Sequence, residues 1–143
     1  MSPRVYRNLD EIFAGDCEGM TYKEIETTYN QESVLRKRDK LGYRYPRGES
    51  YLDLIARVDP LVHELESYEE PLLVVSHQAT LRILYAYLTN RPRADAPKIA
   101  IPLHTLIKVT WDGWGNIHEH HIKYQGGDPD ADADLHDDGQ CCH

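Results

Sequence analysis

The sequence predicts an α/β domain with a mostly parallel sheet, on the evidence of three stretches. Residues 52–65 carry apolar side chains at helical spacing. The apolar run Leu72–Val75 has the length of a buried strand and leads directly into a second helical run. Residues 105–123 have the pattern of two strands around a short turn. Alternating helices and strands of this kind are typical of the α/β class.

The amino-terminal third predicts a loop followed by two short helices. Residues 1–19 show no clear period, so we expect little regular structure there. The stretch Thr21–Glu24 matches a capping box and predicts a helix that ends near Tyr29. The polar stretch Gln31–Lys40 is expected to be helical as well. A break follows at Gly42–Gly48, because a proline and two glycines forbid a regular helix.

A longer helix is predicted after this break. The stretch Ser50–Asp53 is a second capping box. Pro60 lies within the helical pattern, where it is expected to kink the helix or remove a hydrogen bond. Pro71 ends the pattern. The apolar positions predict one face that packs on a sheet: Leu52, Ile55, Val58, Leu61, Val62 and Leu65.

The carboxyl half predicts a strand, a helix and a hairpin. Leu72–Val75 is expected to be a parallel strand buried on both faces, and Gln78–Leu88 the helix that follows it, with Asn90 as a C-cap. Thr105–Trp111 and Asn116–Lys123 are expected to pair around a turn. A buried parallel strand needs neighbours, and no upstream stretch has a strand pattern. We therefore expect this chain to be the carboxyl part of a larger domain.

Composition places the chain in the soluble globular class. The 143 residues are 41% hydrophobic, which suits one domain with a core. No apolar run has the length of a membrane span, and the first residues lack the apolar segment of a signal peptide. Cys17 stands alone and Cys141–Cys142 are adjacent, so the sequence predicts no disulfide framework. We therefore expect a cytoplasmic protein that does not bind membranes.

Charge is unevenly distributed along the chain. The formal net charge of −8 argues against general nucleic-acid binding. Much of the negative charge follows Gly126, whereas residues 36–47 are basic. The tyrosines and arginines of Tyr43–Arg47 could stack on nucleic acid, but the acidic balance favours a different anionic ligand. The acidic tail, residues 125–143, is expected to be disordered because it cannot bury enough apolar surface.

His77 marks a candidate anion site. A strand that runs straight into a helix places this histidine at the strand's carboxyl edge, beside free N–H groups and the positive end of the helix dipole. That is a phosphate site in outline. An equally good interpretation makes Ser76 an ordinary N-cap and His77 a turn histidine.

Two histidine-containing stretches invite a metal interpretation. Alternate residues of a strand face opposite sides, so in His118–His121 the first and third residues share a face while His121 points away. An exposed polar edge strand is the favoured interpretation. Cys141–His143 lie in the predicted disordered tail, where a structural metal is not expected. The sequence thus predicts no metal site.

Four stretches carry a resemblance to a known family. They are Asp10–Ile12 with Ala14–Gly15, then Tyr43–Tyr51, then Val75–Ala79 with Arg82, and then Ile101–Thr105. In this order they resemble the bisphosphatase domain of 6-phosphofructo-2-kinase/fructose-2,6-bisphosphatase, a member of the histidine phosphatase superfamily. The resemblance runs from about Leu9 to Lys123. It implies a three-layer α/β/α phosphoglycerate-mutase-like fold, truncated at the N-terminus and missing its first strand, over residues 1–124.

The resemblance also implies a site. Glu11 matches the general acid that protonates the leaving sugar oxygen, and His77 matches the histidine that steadies the transferring phosphoryl group. Neither a metal nor another cofactor is implied. The implied ligand is fructose 2,6-bisphosphate or fructose 6-phosphate, with Arg44 and Arg47 adding to a basic rim. The positions that match its binding residues are Tyr22, Arg36, Lys40, Tyr51, Gln78 and Arg82.

Two motifs of the bifunctional enzymes are absent. The family's nucleophile is the histidine of an Arg-His-Gly motif, and no Arg-His-Gly occurs among these 143 residues. No Gly-x-x-x-x-Gly-Lys-Ser/Thr loop for kinase chemistry occurs either. Three hypotheses follow: a phosphatase whose amino-terminal segment or kinase domain lies outside this chain, a phosphosugar-binding module, and a remnant that does not fold stably. We expect descent from a fructose-2,6-bisphosphatase and little or no turnover by this chain alone.

Overall fold

The structure is a computed structural model that describes residues 2–124. Four α-helices and one hairpin make up its regular structure, with short 3-10 turns at Arg7–Leu9, Gly15–Cys17 and Arg93–Lys98. The helices are α1 (Tyr22–Thr28), α2 (Asn30–Arg38), α3 (Tyr51–Glu66) and α4 (Gln78–Leu88), and the strands are β1 (Thr105–Trp111) and β2 (Ile117–Lys123). These bounds confirm the predicted order of helices and the predicted hairpin.

Both predicted capping boxes are present. Thr21 Oγ1 accepts from the backbone N–H of Glu24 at 3.3 Å, and the Thr21 N–H donates to the Glu24 carboxylate at 2.7 Å. Ser50 and Asp53 make the same reciprocal pair at 3.2 and 2.8 Å. Each box satisfies N–H groups that have no partner inside the helix, which fixes where α1 and α3 begin.

The core lies between α3 and α4, and it corrects one detail of the predicted apolar face. Leu52 is 52% exposed, whereas Tyr51 and Leu54 are buried. The buried face follows steps of three and four residues from Tyr51, so Leu52 lies about 100° away and points outward. The helix also continues through Pro60, which is exposed. The fully buried residues that α3 and α4 contribute to this core are Leu54, Val58, Ala79, Ile83 and Ala86.

The hairpin packs beside α4 through polar contacts. Strands β1 and β2 are antiparallel, in a register from Thr105 opposite Lys123 to Trp111 opposite Ile117. The Tyr85 hydroxyl of α4 donates to both carboxylate oxygens of Glu119, at 2.8 and 2.9 Å. Trp111 Nε1 donates to the carbonyl of Leu88 at 3.2 Å. These contacts fix the hairpin against the carboxyl half of the helix.

The predicted parallel strand Leu72–Val75 is not formed. The segment has no regular secondary structure, and Leu72, Leu73 and Val75 are 49%, 50% and 80% exposed. A strand exists only when its backbone groups pair with a neighbour, and the one sheet among residues 2–124 is the antiparallel hairpin. The prediction of a buried strand in a parallel sheet was therefore wrong for the described residues. Because no neighbouring strand within residues 2–124 covers this segment, its apolar side chains are exposed.

The structure also bears on the expectations about membrane spans and metal sites, for the residues it describes. Among the helices of residues 2–124, none is long and apolar enough to cross a membrane. Within the same residues, no group of three histidine, cysteine or acidic side chains is arranged to hold a metal ion. The acidic tail and Cys141–His143 lie outside the described residues.

Candidate active site

The amino terminus of α4 is the centre of the candidate site. His77, and not Ser76, is the N-cap residue, with β-region backbone angles and an exposed side chain that makes no capping bond. The Ser76 hydroxyl instead donates to the carbonyl of Leu9 at 2.6 Å. The interpretation of Ser76 as an N-cap is therefore excluded. His77 stands at the positive end of a helix whose first N–H groups have no partner within the helix.

The chain folds back so that Glu11 meets this helix end. Its carboxylate oxygens lie 3.2 and 3.3 Å from the backbone nitrogen of Ala79, which donates to them. The Thr80 hydroxyl donates to the carbonyl of Asp10 at 2.9 Å and ties the two segments together. A helix amino terminus stabilises negative charge, so this is a favourable position for a carboxylate. The two predicted catalytic residues, Glu11 and His77, are thus at the same helix end.

A basic cavity of about 320 Å³ is lined by residues of α1, α2 and α4. Arg36 of α2 donates to the Tyr22 hydroxyl at 3.2 Å, with its guanidinium carbon 5.0 Å from the centre of that ring. Arg82 of α4 donates to the Tyr51 hydroxyl at 3.0 Å and to the carbonyl of Ile99 at 2.7 Å. The lining residues are Tyr22, Ile25, Glu26, Ser33, Arg36, Lys37, Lys40, Tyr45 and Arg82.

Positive charge in the cavity is only partly balanced. Lys40 donates to the carbonyl of Pro97 at 3.0 Å, so its hydrogen-bond acceptor is neutral. Its pKa falls from 10.5 to about 8, because burial disfavours the charged ammonium and because Arg36 and Arg82 repel it. Lys37, by contrast, is paired with the Glu26 carboxylate. A cavity that holds three cations against neutral oxygens is suited to an anionic ligand.

Tyr51 contacts Arg82 of this cavity and also lines a second, smaller cavity. Burial raises the pKa of Tyr51, while the hydrogen bond from Arg82 opposes that rise. A smaller cavity of about 30 Å³ is lined by Tyr51 together with Arg36 and Lys40. Neutral tyrosine hydroxyls beside arginine and lysine are what recognition of a phosphorylated sugar requires: cations for phosphate oxygens and hydroxyls for the ring.

Most of the predicted binding residues are brought together. Tyr22, Arg36, Lys40 and Arg82 line the larger cavity, and Tyr51 contacts Arg82. Gln78 is the first residue of α4 and is half-buried next to His77. The predicted basic rim is different: Arg44 pairs with Asp53 and Arg47 with Asp16, and both arginines are exposed. Their positive charges are therefore balanced locally.

One lining residue was not predicted. Tyr45 is 7% exposed and lines both cavities, with its ring centre 5.9 Å from the guanidinium carbon of Arg36. In the sequence, Tyr45 lies in the break Gly42–Gly48, where a tyrosine could either line a cavity or be exposed on a surface loop. Only its packing against α1 and α2, which the structure shows, identifies Tyr45 as a cavity residue.

Sequence comparison finds close relatives among bifunctional sugar-phosphate enzymes. The chain is 55% identical over 108 residues to the 6-phosphofructo-2-kinase/fructose-2,6-bisphosphatase of Arabidopsis thaliana. It is 47% identical over 110 residues to the fructose-2,6-bisphosphatase of Saccharomyces cerevisiae and to human 6-phosphofructo-2-kinase/fructose-2,6-bisphosphatase 3. These matches cover 75% to 77% of this chain but only 14%, 24% and 21% of the three relatives, respectively. The chain therefore corresponds to a minor part of each.

Two solved phosphatase structures illustrate the fold that this chain shares. A putative α-ribazole-5'-P phosphatase from Escherichia coli has a TM-score of 0.72 at 18% identity, over 85% of this chain and 61% of that protein. A mycobacterial glucosyl-3-phosphoglycerate phosphatase in complex with inorganic phosphate has a TM-score of 0.63 at 25% identity, over 86% and 64%. These likenesses confirm the predicted phosphoglycerate-mutase-like α/β fold.

Residues 1–122 match the family model that describes branch 1 of the histidine phosphatase superfamily. This match covers most of the chain, and it agrees with the sequence relatives and with the solved structures of similar fold. The chain therefore belongs to the histidine phosphatase superfamily.

Proposed function

We propose that this chain carries the general acid and the sugar-phosphate site of a fructose-2,6-bisphosphatase. The observation that supports this most is the cavity in which Arg36, Lys40 and Arg82 converge beside two tyrosine hydroxyls. The relatives of this chain are fructose-2,6-bisphosphatases and bifunctional enzymes that contain one, and their names give the proposed ligand. The cavity volume of about 320 Å³ is at the lower end of the range for small-molecule sites.

The proposed reaction proceeds in two steps. A histidine nucleophile attacks the 2-phosphate while Glu11 gives a proton to the departing sugar oxygen. Water then hydrolyses the phosphohistidine, with Glu11 placed to take a proton. His77 and the free N–H groups of α4 stabilise the negative charge of the transferring group. Fructose 6-phosphate, the product, remains in the basic cavity until it dissociates.

The first step needs a residue that this sequence does not contain. No Arg-His-Gly motif occurs in the 143 residues, and the histidines of β2 are exposed. Loss of a covalent nucleophile removes orders of magnitude of rate. We therefore propose that residues 1–143 bind the phosphosugar and do not turn it over. No phosphate-binding loop for ATP occurs in the sequence, so no kinase activity is proposed.

Titration of fructose 6-phosphate into the purified chain tests the proposed site. Arg36→Gln removes one cation without removing a contact to the backbone, since its described partners are tyrosines. The affinity is expected to fall about tenfold, the usual effect of losing one hydrogen bond to a charged group. Isothermal calorimetry measures this directly.

A matched control is Arg93→Gln. Arg93 is an exposed arginine that pairs with Asp59 and does not line the cavity. Its removal is expected to leave the affinity unchanged. Equal losses in both variants would mean that general charge, and not this cavity, attracts the ligand, and no binding by the folded wild-type chain would overturn the proposal.

A further inference from the structure

The side chain of Arg57, in the middle of α3, donates hydrogen bonds to a carboxylate and to several backbone carbonyls. Its Nε and Nη2 donate to the two carboxylate oxygens of Glu49 at 3.1 and 3.0 Å. Both side chains are largely buried, at 23% and 28% exposure. Such a two-pronged pair fixes the plane of the guanidinium group and leaves its remaining N–H groups aimed in one direction.

Those remaining N–H groups hold the segment that carries Glu11. The two N–H groups of Nη1 are shared among the carbonyls of Arg7, Asn8 and Asp10 at 3.1, 3.1 and 3.0 Å, and Nη2 donates to the carbonyl of Glu11 at 3.2 Å. The segment contains one short 3-10 turn, so few of its backbone groups are satisfied internally. Arg57 therefore fixes the path of this segment across α3, together with the hydroxyls of Ser76 and Thr80 that bind the carbonyls of Leu9 and Asp10.

Glu49 holds the other side of the same segment. Its carboxylate accepts from the N–H of Phe13 at 3.0 Å, and its own N–H donates to the Phe13 carbonyl at 2.7 Å. The pair of Arg57 and Glu49 thus contacts the backbone at Glu11 itself and two residues beyond it. The carboxylate of Glu11 reaches Ala79 from a backbone that is fixed on both sides.

We propose that Arg57, supported by Glu49, is the positioning residue that places the Glu11 carboxylate at the amino terminus of α4. Arg57 does not line either cavity, so it acts through Glu11 and not on the ligand. A lysine cannot replace it, because a single ammonium group cannot reach both the Glu49 carboxylate and the row of carbonyls. The importance of this placement for catalysis rests on the proposed function; the placement itself does not.

Amide hydrogen exchange at Ala79 measures the placement without any ligand. The Ala79 N–H donates to Glu11, and as an early helix N–H it has no partner within α4. In Arg57→Lys, exchange at Ala79 is expected to rise about tenfold relative to Leu84 in the buried part of α4, the usual effect of losing a hydrogen bond to a charged group. Glu11→Gln is expected to give a similar rise.

A double variant separates positioning from a general structural role. If Arg57 acts through Glu11, then Arg57→Lys adds nothing to the exchange at Ala79 in the Glu11→Gln background. Arg93→Lys, which alters another arginine that pairs with α3, is expected to leave Ala79 unchanged. An Ala79 rate unaltered by Arg57→Lys, or an equal rise in both Glu11 backgrounds, would overturn the proposal. Because no ligand is present, failure of fructose 6-phosphate to bind would not alter this result.

Discussion

Deprotonation of Lys40 should weaken phosphosugar binding in an accessible pH range. With a pKa of about 8, the charged fraction of Lys40 falls from about 0.9 at pH 7 to about 0.1 at pH 9. Only the charged form attracts phosphate, and the phosphate of the sugar keeps its charge because its second pKa lies near 6. The affinity for fructose 6-phosphate should therefore fall about three- to tenfold between these pH values, the upper figure holding if the neutral form does not bind.

A lysine-to-arginine change supplies the control for this prediction. The guanidinium of Lys40→Arg stays charged throughout the range, so its binding curve should be flat from pH 7 to pH 9. Calorimetric titrations at each pH, in buffers of matched ionic strength, measure both proteins. A flat wild-type profile would refute the combination of a lowered Lys40 pKa and a Lys40 contact with the ligand. A fall of the same size in Lys40→Arg would show that another group titrates.

Two further predictions concern the fold. Ile83→Ala removes a fully buried side chain between α3 and α4 and should lower the free energy of unfolding by about 3 kcal/mol in urea titrations; a loss below about 1 kcal/mol would show that this core is loosely packed. Val75→Thr, at an 80% exposed position, should change the free energy of unfolding by less than about 0.5 kcal/mol. A loss well above that value in Val75→Thr would mean that the segment is paired and buried after all.

Local patterns predicted the helices well because their causes are local. Capping boxes at Thr21 and Ser50 specify where α1 and α3 begin, and the run after His77 specifies α4 from Gln78 to Leu88. These signals depend on residues three or four positions apart, which the sequence contains in full. The exposed position of Leu52 was missed because the phase of an apolar face depends on what the helix packs against.

The segment Leu72–Val75 shows that local sequence patterns do not predict strand pairing. Its composition is that of a buried strand, but pairing depends on neighbours that residues 2–124 do not provide. The role of Arg57 was likewise not visible in the sequence, where it is one charged residue within a helix. Its contacts with the segment that carries Glu11 are with residues 46 to 50 positions away, and no periodic pattern in the sequence predicts contacts of that range.

The candidate site was predicted by resemblance and not by pattern. Arg36 and Lys40 are separated by more than 40 residues from Arg82, and nothing in that spacing indicates that Arg82 shares a cavity with them. Resemblance to fructose-2,6-bisphosphatases supplied these positions together, and the structure places them around one cavity. It does not test their roles, which remain predictions until ligand binding is measured.

Phosphate release from fructose 2,6-bisphosphate by the purified chain tests the central claim most directly. The protein is folded and saturated with substrate, and free phosphate is followed over time against a protein-free blank. Because the sequence contains no Arg-His-Gly nucleophile, the account predicts no release above that blank. Release that both His77→Ala and Glu11→Ala abolish would contradict it, since a working catalytic site would then form from these 143 residues alone.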